Sequence, residues 1–224
     1  FKIFFDKLIK KKNFSIYWNK VYEPDYLKFD EYLLRNFKNK NIYHKRLKGN
    51  VLNEIEEIKK SDGTPFKVFT PFWRTAEKYY IEKIPSKEKK IKKCRKKINY
   101  FNNCIEPDKI LPKKEWFKNF EKIWFPDEQS AFKELQDFIK ERIANYSEGR
   151  NFPNIVGTSK LSPFIKFGQI HVETIWNECI KTKSKTIGVS KFLAEIGWRE
   201  FNHTLINFFP HMLTNNYSKK FDKF

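Results

Sequence analysis

The chain has 224 residues, 40% hydrophobic and 18% aromatic, with 46 Lys and Arg against 27 Asp and Glu for a formal charge of +19. That apolar content supports one sizeable core or two smaller ones and excludes a disordered chain, while the charge favours a polyanionic partner, nucleic acid first, because neutralising phosphates releases counterions. Three cysteines, Cys94, Cys104 and Cys179, stand in no metal-ligand or redox spacing, and no apolar run suits a bilayer span, so a reduced cytosolic or nucleoid protein without metal or membrane partner is expected. Abundant Lys, Asn, Ile and Phe also arise from AT-rich coding, so charge alone leaves the function to the motifs.

In chain order, Phe1 opens inside sequence that already reads as structured, which points to a fragment. Ser15 to Asn19 is aromatic and β-branched and reads as a buried strand ending at the turn-like Glu23-Pro24-Asp25. A helix follows, with Tyr26, Phe29, Leu33 and Phe37 on one face, and a second short strand falls between Tyr43 and Leu52. Strand, helix, strand implies an α/β unit with a parallel sheet. Gly63 to Arg74 places two prolines around an aromatic cluster and reads as a packed, irregular connector without chemistry of its own. Between 87 and 97, eight of eleven residues are Lys or Arg, a charge run that reads as a solvated linker.

Everything afterwards reads as helical. From Pro126 to Tyr146 the positions Ala131, Leu135, Phe138, Ile139 and Ile143 describe one amphipathic helix. Ser162-Pro163 is a helix start with the hydroxyl as cap, and Gly168 ends that helix. Val172, Ile175, Trp176 and Cys179 form the next buried stripe, and Ser190 is read as the cap of a long helix to about Phe208. The spacings of His171, His203 and His211 suit no metal.

Two of these segments carry polar chemistry. Thr158, Ser159 and Ser162 gather hydroxyls where a helix begins, a place where backbone N–H groups and the dipole favour an anion. On the long helix, Phe192, Glu195, Arg199 and Asn202 share one face with Trp198 beside them, opposite Leu193, Gly197, Phe201, Leu205 and Phe208.

Gly149-Arg150-Asn151-Phe152-Pro153, then Gly157-Thr158-Ser159-Lys160-Leu161-Ser162-Pro163, then Glu195-Ile196-Gly197-Trp198-Arg199-Glu200-Phe201-Asn202 follow in series. Together they resemble the flavin-binding domain of the DNA photolyase/cryptochrome family, most of all a class I cyclobutane pyrimidine dimer photolyase. The Gly63–Arg74 segment resembles the one that closes the family's N-terminal antenna domain. The resemblance implies a partial Rossmann-like α/β antenna domain over 1–85, a basic interdomain linker over 86–125, and the first part of an all-α FAD-binding domain over 126–224. It implies that FAD is held by Tyr146, Thr158, Ser159, Lys160, Leu161, Ser162, Phe192, Glu195, Arg199 and Asn202. By the same likeness Arg150 and Trp198 meet UV-damaged DNA containing pyrimidine dimers, and Glu195 and Trp198 act on the dimer. The implied activity is light-dependent DNA repair by a monomer, in which reduced flavin lends an electron to a dimer. A Gln stands at the place of Glu195 in (6-4) photolyases, which tilts the likeness toward cyclobutane dimers.

The alternatives are a cryptochrome-like blue-light sensor without repair activity and a non-catalytic basic DNA-binding module. Asp25-Tyr26 and Leu213-Thr214 stand where folate-binding relatives have Asn-Glu and Cys-Lys, so an antenna chromophore is expected without its identity. The family's second flavin-binding half lies beyond Phe224, and the chain as it stands is expected to hold FAD poorly. One cavity is expected to gather Tyr146, Thr158 and Arg199.

Overall fold

The computed structural model describes residues 14–81, 114–182 and 186–223. The basic run between 87 and 97 lies outside them. Two strands, β1 (Ile16–Asn19) and β2 (His44–Leu47), pair in parallel with Ile16 opposite His44 and Asn19 opposite Leu47, connected by helix α1 (Pro24–Asn39). Pro24 suits the start of α1, where its missing N–H has no partner to lose.

The α1 face toward the strands buries Leu33, Phe37 and the carboxylate of Asp30. Asp30 is satisfied there, since it accepts from the Trp18 indole and pairs with Arg46 at 2.7 Å, so its burial leaves no unpaired charge. Two expectations are corrected at this point. β1 is not buried: Ile16 and Trp18 are half-covered while Tyr17 is 58% exposed, because among the described residues β1 has β2 as its one neighbour. Tyr26, 61% exposed, leaves the buried face and sits in the first turn of α1, on a groove of about 660 Å³ with Trp18, Val21 and Phe29.

The segment read as an irregular connector is helical from its middle onward, as α2 (Phe69–Ile81). Pro71 falls in the first turn, where proline is tolerated, and the aromatic cluster then lies along a helix. Phe72, Ala76 and Tyr80 are buried in one cluster with residues of the helices that follow.

Helix α3 (Glu128–Asp137) is capped by Asp127, whose carboxylate accepts from the Ser130 amide at 2.6 Å. The single helix expected through Tyr146 is instead broken into a π turn (Phe138–Arg142), a 3-10 turn (Ile143–Asn145) and a short α4 (Tyr146–Gly149). The apolar positions stay inside, with Ala131, Leu135 and Phe138 fully covered, and the altered winding moves the next turns relative to α3.

Helix α5 (Ser162–Lys166) begins with Ser162 already inside the helix, not as its cap, and no side chain caps it. It ends at Gly168, whose φ of +72° is the left-handed value glycine accepts freely. Helix α6 (Val172–Ile180) buries Val172, Ile175, Trp176 and Cys179 as the spacing requires, and burial pushes the Cys179 thiol up to about 12. The long helix α7 (Ile187–Phe208) is capped by Thr186, whose hydroxyl accepts from Val189 N at 3.4 Å, and Ser190 is an exposed residue one turn inside.

The loop after β2 is tied to the helices by side chains. Asn50 donates to the Ile165 and Ile170 carbonyls at 2.9 and 3.3 Å and accepts from Val172 N at 2.8 Å. His171 Nδ1 accepts from Glu173 N, and its Nε2 lies 3.1 Å from the Gly49 carbonyl oxygen. Among the described residues no helix is long and apolar enough to cross a membrane.

Candidate functional site

The first turn of α7 lies hard against the 3-10 turn before α4, because Gly188 has no side chain: a Cβ there would stand 2.0 Å from the Ile143 carbonyl oxygen. That approach carries Phe192, about one turn further along α7, onto Phe138 and Tyr146, with ring centres 4.6 and 5.3 Å away. Tyr146 and Phe192 are 8% and 6% exposed, so both rings belong to the core at this point. Burial raises the Tyr146 hydroxyl above its ordinary range and Arg150 opposes the shift, leaving it a neutral hydrogen-bonding group.

One turn further along α7, Glu195 forms an ion pair with Arg150, which follows α4 and lies 5.7 Å from the Tyr146 ring centre. The pair raises the guanidinium's pKa further above its ordinary value. The loop after α4 returns so closely that a Cβ on Gly157 would meet the Gly149 oxygen at 2.2 Å, so only glycine permits this crossing. The crossing delivers residues 158–162 beside α4. Thr158 is exposed, Ser159 Oγ accepts from Leu161 N at 3.4 Å, and Leu161 is buried. Lys160, at a φ of 54°, turns its carbonyl to the Trp124 indole at 3.2 Å.

Trp198 stands on the outer side of α7, 42% exposed, and stacks on Phe69 of α2 with ring centres 3.8 Å apart and planes 10° from parallel. Beside it Gly197 admits the Trp73 ring, which a Cβ would meet at 2.3 Å. Helix α2 thereby supports the indole from behind. Glu195 and Trp198 are three residues apart on α7 and so occupy neighbouring positions on its surface.

Arg199 turns to another place. It pairs with Glu200 at 2.9 Å and lines a cavity of about 460 Å³ with Ser162, Lys166, His203, Tyr22 and Asn50. Glu200 is only 4% exposed and also accepts from Leu52 N at 2.8 Å. Burial pushes its carboxyl up to about 7 against the opposing pull of Arg199 and the Leu52 amide. Burial, with Arg199 nearby, brings His203 down to about 4.

The structure therefore gathers Tyr146, Arg150, Phe192 and Glu195 in one group, and Ser162 with Arg199 on a separate cavity. Thr158 and Tyr146 are not among the residues lining that cavity, because the Tyr146 ring is packed between Phe138 and Phe192. Asn202 is exposed. Glu200, Asn50 and Phe69 are the participants that sequence reasoning passed over. A charged residue one position from Phe201 and three from Gly197, on the face counted as core, was the available signal for Glu200. Among the described residues no group of His, Cys, Asp and Glu could hold a metal.

A family model for DNA photolyase matches residues 4–90. The chain is 33% identical over 217 residues to a deoxyribodipyrimidine photo-lyase of Agrobacterium fabrum, an alignment covering 94% of this chain and 44% of that protein. It also superposes on a class III photolyase from Agrobacterium tumefaciens with a TM-score of 0.80 and 30% identity, over all of this chain and 47% of that one. The chain belongs to the photolyase/cryptochrome family. A Synechocystis cryptochrome shares the fold at a TM-score of 0.70 and 20% identity, over 90% of this chain and 43% of that one. This photolyase-family chain thus spans less than half the length of these relatives. The motif series resembles most of all a class I photolyase, whereas a solved photolyase at 30% identity is of class III.

Proposed function

We propose that this chain is the part of a light-dependent DNA-repair lyase that meets cyclobutane pyrimidine dimers, and that it supplies one side of an FAD site. The observation that carries this reading is the exposed Trp198 ring, backed by Phe69 and flanked by the Glu195–Arg150 pair on an otherwise core helix. A large ring held from one side is a stacking platform, and an acid and a guanidinium beside it suit base edges and phosphate.

The donor set fits a flavin nucleotide in part. Ser162, Lys166 and Arg199 on one cavity combine a hydroxyl with two cations, which suits phosphate and polyol oxygens. When bound, FAD supplies the photoexcited electron that the dimer needs. The chain's own residues do the remaining work. Trp198 stacks on the dimer, Glu195 accepts from its base N–H groups, and Arg150 holds a neighbouring phosphate. Arg199 is held in place by the buried Glu200. Turning the dimer out of the duplex is cheapest where damage has weakened pairing, which gives selectivity without reading sequence. The excess of Lys and Arg supplies general DNA affinity.

Expression of the full-length gene product tests this reading: it should show flavin absorption and restore UV-irradiated thymine oligonucleotides only in the light. Flavin without repair selects the alternative, a cryptochrome-like light sensor, whose fold the chain shares. Absence of flavin refutes both.

A further inference from the structure

Arg150 and Glu195 are the two charged residues that the repair reading directs at DNA, one at a phosphate and one at the damaged bases. In the free protein each holds the other, with side chains 35% and 38% exposed, so the pair is open to an incoming strand. Arg150 has a second support in the Tyr146 ring, 5.7 Å from its guanidinium carbon, which keeps it at this place when the carboxylate lets go. Among the described residues, Arg150 is the one ion-pair partner of Glu195. A phosphate that engages Arg150 therefore competes with Glu195 and leaves a carboxylate beside a second negative charge.

We propose that Glu195 is a specificity-determining residue through Arg150: it is the resting counter-ion that any DNA phosphate must displace, and only bases turned out of the stack replace what it loses. This rests on the repair reading. On intact duplex the displaced carboxylate finds no donor and opposes binding. On a dimer-containing site the N3–H groups of the extruded pyrimidines face it, and the opposition disappears. The pair thus weakens binding to the large excess of undamaged DNA while leaving the damaged site unaffected.

The test is a double-mutant cycle in the full-length protein, measuring affinity for an intact duplex and for the same duplex carrying one thymine dimer. Glu195→Gln should tighten intact-duplex binding by several-fold to roughly tenfold, the scale of leaving one charged group unsatisfied. The preference for damage falls accordingly. With Arg150→Gln already present, Glu195→Gln should have no effect on intact duplex, while Arg150→Gln alone should lower the salt slope by about 1. Arg150→Lys, which keeps the charge without the two-pronged geometry, should restore part of the coupling. Equal effects of Glu195→Gln in both Arg150 backgrounds, or none in either, overturn the proposal. A wild-type protein with no preference for dimer DNA removes the repair reading, yet the cycle on intact duplex still decides whether the two residues exchange partners.

Discussion

Glu200→Gln should change how the stability of this protein depends on pH, and the structure gives both sign and size. The native carboxyl is pushed up to about 7 from an ordinary 4.5, so between those values the folded protein holds a proton that the unfolded chain has lost. Stability contributed by that proton is complete below pH 4.5 and disappears as pH rises to 7. At ~1.4 kcal/mol per pH unit the interval is worth about 3 kcal/mol. His203 acts the opposite way. Its ordinary value of 6.5 falls to about 4 on folding, so stability drops as pH descends from 6.5 to 4, by a similar amount. Over the shared window the two contributions offset each other, and wild type should show little slope from this pair. The Gln variant keeps an acceptor for the Leu52 amide and removes the carboxyl titration, leaving the His203 slope uncovered. Urea unfolding of the full-length protein at pH 5 and pH 7 should therefore show the variant gaining stability with pH, relative to wild type, by about 2 kcal/mol. His203→Gln should tilt the other way. Parallel behaviour of wild type and Glu200→Gln at both pH values would refute the reasoning.

Trp198→Ala should weaken binding to dimer-containing DNA by ~1–3 kcal/mol while leaving flavin absorption in place, because the lost ring is a stacking surface outside the core; fluorescence anisotropy with a labelled oligonucleotide measures this, and wild-type affinity would contradict the role. Gly197→Ala should lower stability by ~1–3 kcal/mol, read as a drop in Tm, since the new methyl stands 2.3 Å from the Trp73 ring.

Much of the helical half was legible because its apolar spacing is regular. Val172, Ile175, Trp176 and Cys179 are buried as their period requires, and Gly168 ends α5 as glycine should. What escaped was decided by contacts distant in sequence. The first turn of α7 presses on the Ile143 carbonyl, and the 138–145 stretch beneath it is wound as π and 3-10 turns that residue periodicity alone does not reveal. Thr186 takes the cap that Ser190 was given, since local composition offers two hydroxyls and only tertiary packing chooses between them. In the candidate site, Glu195, Trp198 and Arg150 are residues that motifs single out, whereas Glu200 and Asn50 act on backbone groups more than 100 residues away. No short window contains that information.

Leu52, Phe66, Phe72 and Tyr80 share one apolar cluster with Ala131, Leu135, Trp176 and Phe201, although residues 82–113 separate the two groups along the chain. A backbone severed within that interval would consequently leave two pieces that still clasp one another, since parting them would bare aromatic rings on both sides to water. Two co-expressed halves split within that interval would be expected to reassemble through this shared apolar cluster.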